Sequence, residues 1–275
     1  MVNRKVAVLR ADASSSIGVG HIMRSLSLGE ALLDEGFGVE LVSFELAPNL
    51  ALLATSLGIH VVELSCAPRS SEDAHFVLQR DAQIIVVGLQ YAMVRKEVRE
   101  IAAQQLPTNE GEVFVAMGGA DFLGLTAPIV EALAEQSFSV RVAVGHANSQ
   151  RAAVQQLVDR YAHVTLIDQR DYVSSLANAQ VAVLAAGSSL WEACAVETPS
   201  IGLIVADNQA GSSVAAARLG FTYIIDCRKG LFAEDIVNAV RMVMKDKAEA
   251  MRDAARQCRI RDGAVQVARQ IGALV

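Results

Sequence analysis

Short apolar runs alternate along the whole chain with stretches whose apolar residues recur every three to four positions. The first pattern is that of buried strands and the second that of amphipathic helices. Strands are predicted near "KVAVLR", "GVELVSF", "IHVVEL" and "AQIIVVG". The clearest helix between them runs from Arg24 to Glu35, and "EGFG" ends it with Gly36 at the C′ position. A polar stretch, "QQLPTNEGE" (Gln104 to Glu112), combines Pro107, Asn109 and Gly111 and breaks the pattern. The pattern restarts with "VFVAMGG" and continues through "SVRVAVG", "HVTLID", "AQVAVLAAG", "PSIGLIV" and "TYIID". From Ala233 to Leu274 the chain is helical, in two or three pieces, with its charges on a solvated face.

Strands that alternate with helices predict an α/β fold built on doubly wound parallel sheets. Two Rossmann-like domains in tandem follow, over residues 1–106 and 107–275. The first is expected to hold a small sheet of about four strands, the second a sheet of six. Composition agrees. Of the 275 residues, 52% are hydrophobic and only 5% aromatic, which suits parallel strands covered on both faces. The net charge of -6, without basic runs, argues against nucleic acid and anionic membranes as partners. The four cysteines are widely spaced with no CxxC pair, as expected of structural thiols in a reducing compartment. No apolar run suits a secretory leader or approaches the ~18 residues of a membrane span, so a cytoplasmic location is expected.

Ligands of doubly wound sheets bind beyond the carboxyl ends of the strands, and two such domains in series predict a cleft between them. The first strand is followed by "RADASSSIGVGHIMR". Gly18 and Gly20 fit a dinucleotide fingerprint, with Glu45 as the ribose acid, but Met23 stands where its third small residue belongs. A Walker loop is excluded because no GK[ST] follows. His21 stands at a predicted helix start, where free amides favour an anion and a neutral imidazole. Such a histidine can act as a general base, or merely cap and pack. Arg24, one turn on, is placed to meet an anion or to lie on the surface.

Three loops of the second half carry comparable signals. "VAMGGADFLGLT" offers Gly118, Gly119 and Asp121, with Thr126 as a cap for the next helix. "AAGSSLWEACAVETP" places Ser188 and Ser189 at a helix start with Glu192 three residues after Ser189. That spacing fits a capping box, or a pyrophosphate on the helix N-terminus with Glu192 on ribose hydroxyls. Trp191 is expected to pack. "IVADNQAG" adds Asp207, Asn208 and Gln209 where a strand meets a helix. The acids and the dispersed histidines form no metal-ligand cluster, and no cofactor is implied.

In this order, "RADASSSIGVGHIMRSLSLGEAL", "VFVAMGGAD" and "AAGSSLWEACAVETPSIGLIVADNQ" resemble the UDP-2,4-diacetamido-2,4,6-trideoxy-β-L-altropyranose hydrolases of pseudaminic acid biosynthesis. Those enzymes have the two-domain GT-B fold and are related to MurG-type glycosyltransferases. The resemblance implies hydrolysis of a UDP-linked deoxy amino sugar, with glycosyl transfer or binding without turnover as alternatives. His21 matches the base that activates water. Asp12, Gly18, Gly20 and Arg24 match the sugar-side loop, and Ser188, Ser189, Glu192, Asn208 and Gln209 the nucleotide side and the cleft. "VVGLQYAMVRKEV" resembles the family's interdomain segment, matching at Tyr91 and Arg95, with Leu89 in place of a proline. The family's V-D-x-Y motif has no counterpart, because "SEDAHFVLQ" runs almost directly into "RDAQIIVVGLQYAMV". The first domain is therefore shortened, and the tyrosine that faces the sugar is missing.

Overall fold

The structure, a computed structural model, describes residues 5–11, 20–43, 46–63, 92–104, 109–119, 121, 123–145, 148–231 and 233–273. By packing, the chain forms two units. One comprises the residues up to Lys96 together with those from Ile260 onward, and the other is Glu97–Arg259. The linear pattern breaks ten residues later, at 106/107, and gives no sign that the last helix returns to the first unit.

The first unit begins β1 (Val6–Arg10), α1 (Gly20–Asp34), β2 (Gly38–Ser43), α2 (Pro48–Ser56) and β3 (His60–Glu63). The strands pair in parallel in the order β1-β2-β3, with Val6 opposite Gly38 and Glu40 opposite His60. Three of the four strands expected here are thus in place; "AQIIVVG" lies outside the described residues. Ile22, Leu26 and Leu32 of α1 bury their side chains against Leu41 and Ile59. The helix stops as expected at Gly36, whose φ of +90° suits a residue without Cβ. Its N–H donates to Leu33 O at 3.0 Å and that of Phe37 to Leu32 O at 3.0 Å, the paired bonds of a Schellman cap.

The second unit is entered through α3 (Lys96–Ala102). It comprises β4 (Asn109–Ala116), α4 (Thr126–Glu135), β5 (Ser139–Ala143), α5 (Arg151–Arg160), β6 (Val164–Ile167), α6 (Tyr172–Asn178), β7 (Ala179–Ala185), α7 (Ser188–Ala195), β8 (Ser200–Ile204), α8 (Ala210–Leu219), β9 (Thr222–Asp226), α9 (Ala233–Met242) and α10 (Ala248–Cys258). All six expected strands form, in one parallel sheet of order β6-β5-β4-β7-β8-β9. The chain starts in the middle, winds out to β6, then crosses to β7 and winds the other way. That is the doubly wound order with a switch point between β4 and β7. Val113, Phe114 and Val115 of β4 and Val181 to Leu184 of β7 are fully buried, so the central strands read as unbroken apolar runs. Trp191 packs its ring on Phe221, with centroids 5.6 Å apart.

The C-terminal region forms three helices, as the periodicity suggests. A π-helical turn (Val243–Lys247) joins α9 to α10. After α10 comes Arg259 with φ +49°, then a 3-10 turn and α11 (Gly263–Ala273). Ala264 and Ala268 of α11 enter the core around α1 in the first unit. No helix among the described residues is long and apolar enough to cross a membrane.

Candidate functional site

Ala116 of β4 lies beside Leu184 of β7, so the loops that follow these strands leave the sheet side by side at the switch point. This is where open α/β sheets hold their ligands. In the β4 loop Gly118 has φ +79°, which favours glycine, and a Cβ there would meet nothing within 4 Å. Gly118 and Gly119 are exposed, and a Cβ on Gly145 would lie 3.3 Å from Gly119 O, so the β5 loop backs this turn closely.

Asp121 fills a different role from the ligand contact expected of it. It is buried, with φ +41°. Its Oδ1 accepts from Leu125 N at 3.0 Å, and its Oδ2 accepts from Thr126 N at 2.9 Å and Thr126 Oγ1 at 2.5 Å. Both oxygens thus cap the start of α4. Thr126, expected as the cap, is the first helical residue and is itself held by Asp121. An acid inside a glycine-rich turn reaches back to the helix amides because the turn curls over them.

The β7 loop is the start of α7. Gly187 is its N-cap residue, with no side-chain capping bond, and a Cβ on Gly187 would meet nothing within 4 Å. Ser188 and Ser189 are the first two helical residues and Glu192 the fifth. A capping box needs its serine at the N-cap and its acid at the third position. The capping-box reading of Ser189 and Glu192 is therefore corrected: both sit inside the helix, two places too far along. With glycine at the N-cap, α7 begins at the switch point without a capping bond from its N-cap residue, and a helix start in that place suits an anion. Glu192 follows one turn later and is only 8% exposed, too buried to be an ordinary surface charge.

The β8 loop carries Asp207–Gln209 as a 3-10 turn. Gln209 Oε1 accepts from Val205 N at 2.9 Å, and Gln209 O accepts from Ser213 Oγ at 2.7 Å. Gln209 therefore latches strand end to helix start, while Asn208 is exposed. Arg228, after β9, completes this loop and was missed in the sequence. Its Nη1 donates to Asp207 Oδ1 at 2.7 Å, and its Nε and Nη2 donate to the two oxygens of Asp226 at 2.9 and 2.6 Å. Those bonds hold the Asp226 carboxyl at about 2, below its ordinary 3.8. The signal was the same as for the other loops, polar residues just past a strand end ("IIDCRKG"), but β9 was not read that way.

In the first unit, Gly20 and His21 open α1, four residues before the Arg24 start read from the periodicity and in keeping with His21 at a helix start. Met23 packs against the core of the unit, which leaves no close glycine-to-sheet approach of the dinucleotide type. Arg24, on the first turn, is partly buried, and burial lowers its pKa. Asp12, Gly18, Glu45, Tyr91 and the side chain of His21 lie outside the described residues. Among the described residues no three His, Cys, Asp or Glu side chains group as metal ligands.

No protein-family model matches the sequence, and no curated protein matches it at the level of sequence. Solved structures do match the fold. MurG of Acinetobacter baumannii superposes with a TM-score of 0.63 at 12% identity, over 98% of this chain and 99% of that one. The calicheamicin glycosyltransferase CalG4 gives 0.62 at 14%, over 99% and 98%. The spinosyn forosaminyltransferase SpnP gives 0.63 at 11%, over 98% and 99%. The architecture of this chain, two parallel-sheet α/β domains whose described residues form sheets of three and six strands, is the fold of the GT-B glycosyltransferases.

Proposed function

We propose that this chain is an enzyme that binds a uridine diphosphate sugar and transfers its glycosyl group. The observation that carries the reading is the start of α7, with glycine at its N-cap, at the switch point of a GT-B-type sheet, beside the open glycine turn at Gly118. In this reading the second domain holds the nucleotide. The diphosphate lies on the amides and hydroxyls of Ser188 and Ser189 and against the backbone of Gly118 and Gly119. Glu192 accepts hydrogen bonds from the ribose hydroxyls. Asn208 offers an exposed amide to the ligand, and Gln209 keeps the loop in shape.

The first domain supplies the sugar and acceptor side through Asp12, Gly18, Gly20, Arg24 and Tyr91, with His21 as general base. An acceptor oxygen attacks the anomeric carbon, its proton passes to the imidazole, and the bond from that carbon to the diphosphate oxygen breaks. UDP leaves with the electron pair. Backbone amides and a helix N-terminus stabilise the charge that develops on it.

Hydrolysis of a UDP-linked deoxy amino sugar is the second reading, with water as the attacking group. Its support is the run of motifs from "IGVGHIMR" to "VADNQ". The structural neighbours above carry names of glycosyl transfer, which favours the first reading. A panel of UDP-sugars followed by NMR, with and without hydroxyl acceptors, separates the two. UDP released only with acceptor supports transfer. Free sugar released without acceptor supports hydrolysis. Absence of UDP binding in calorimetry rejects both.

A further inference from the structure

Cys194 lies on α7 and Cys258 is the last residue of α10, a helix that packs against α7. Cys194 Sγ reaches Ala255 O at 4.0 Å, one turn before Cys258 on α10. Ala255 and Cys258 are three residues apart on one helix and so lie on the same face. Beside them Arg256 Nε donates to Glu197 Oε2 at 2.9 Å, tying the second residue past the end of α7 to the same turn of α10. Side-chain packing, a thiol contact and an ion pair thus converge on one junction. The two cysteines come to that junction from positions far apart in the chain.

We propose that Cys194 and Cys258 are a redox modification site, closing to an intramolecular disulfide that staples α7 to α10. The oxidant is a small-molecule disulfide of the glutathione class. Cys258 is partly exposed and Cys194 only 1% exposed, so Cys258 reacts first. Its thiolate attacks one sulfur of the oxidant, the other leaves as a thiolate, and a mixed disulfide forms. Cys194 then gives its proton to solvent and attacks the Cys258 sulfur, and the second small thiolate leaves. The protein loses two electrons and two protons, and the oxidant becomes two thiols.

Burial pushes both thiols above their ordinary range. The thiolate fraction is small, so closure is slow. The same lack of thiolate stabilisation favours the closed form at equilibrium and makes it resist reduction. The site is independent of the nucleotide reading, although the stapled helix is the one whose first turn carries Ser188 and Ser189.

The test uses the whole protein, incubated with oxidised or reduced glutathione, alkylated and mapped by mass spectrometry. The expected result is a linked peptide pair joining Cys194 to Cys258, lighter by two hydrogens. The unfolding midpoint should rise on the order of 5 °C, reversed by a strong dithiol reductant. Cys258→Ser should lose both changes and Cys227→Ser should keep them. Three results would overturn the proposal: both thiols remain open to alkylation in unfolded oxidised protein, Cys258 stops at the glutathione adduct, or the link runs to Cys66 or Cys227. Because the map is made on the natural protein, it decides the matter even if a variant folds poorly.

Discussion

Arg228 donates to Asp207 across 2.7 Å while the rest of its guanidinium grips Asp226, so one side chain joins the loop after β8 to the end of β9. The exposed residue beside Asp207 is Asn208, one of the proposed ligand contacts. Arg228 is therefore expected to act on ligand binding through the position of Asn208. Arg228→Met should weaken UDP binding several-fold in calorimetry while leaving the circular dichroism spectrum unchanged, and Arg228→Lys should restore only part of the loss. Unchanged affinity in Arg228→Met would remove this role.

The same contact sets a pH dependence. Asp226 titrates at about 2 in the folded chain against 3.8 ordinarily. A depressed carboxyl contributes stability above its unfolded value, and the contribution disappears as pH falls through the folded one. The latch should thus be complete above about pH 4 and open as the solution approaches pH 2. NMR titration of the Asp226 carboxyl checks this, and in Arg228→Met its midpoint should return toward the ordinary value. A midpoint that stays low in that variant would show that Arg228 is not the cause.

Glu192→Gln tests the ribose contact. Losing a charge-assisted hydrogen bond costs roughly 1.5–3 kcal/mol, or about tenfold or more in affinity. The loss should appear in the UDP dissociation constant of the folded variant. Equal affinities in a folded variant would assign Glu192 to structure alone.

His21→Asn is expected to reduce turnover by ~10²–10⁴ with UDP binding nearly unchanged. The helix begins at Gly20, which puts His21 in its first turn. Full turnover in this variant would exclude His21 as the base.

Gly263→Ala tests how the last helix is seated. A Cβ on Gly263 would lie 2.0 Å from Ala92 O and 2.7 Å from the carbonyl carbon, both backbone atoms that cannot swing aside. Overpacking of this kind costs about 1–3 kcal/mol or more. The unfolding midpoint should fall, and proteolysis near α11 should speed up. A variant as stable as the natural chain would mean that Ala92 moves freely.

The strand-end loops of the candidate site were legible before any fold was drawn. Loops after parallel strands bind ligands for a topological reason, so reading the residues past each apolar run picked out Gly118, Ser188 and Asn208. What that reading could not supply was the role of each group. Asp121 looks like a ligand acid in sequence and spends both oxygens on α4. Ser189 and Glu192 have capping-box spacing, yet Gly187 takes the N-cap position because the helix starts two residues before Ser189 could serve as its cap. Arg228 went unread because its partners stand at two different strand ends.

By itself, the sequence determined the elements and the sheet class. Periodicity records which face of each segment avoids water, and that preference is local. Six apolar runs with helices between them lead to a parallel sheet, and Gly36 ends α1 for reasons contained in a few residues. Only the tertiary structure decided which chain segments share a core and which polar groups are already satisfied. Ala264 and Ala268 join the first unit because that is where their small side chains fit against α1, a fact of shape rather than of pattern. Cys194 reaches the turn of α10 that carries Cys258 because two helices pack, and no spacing along the chain encodes that approach.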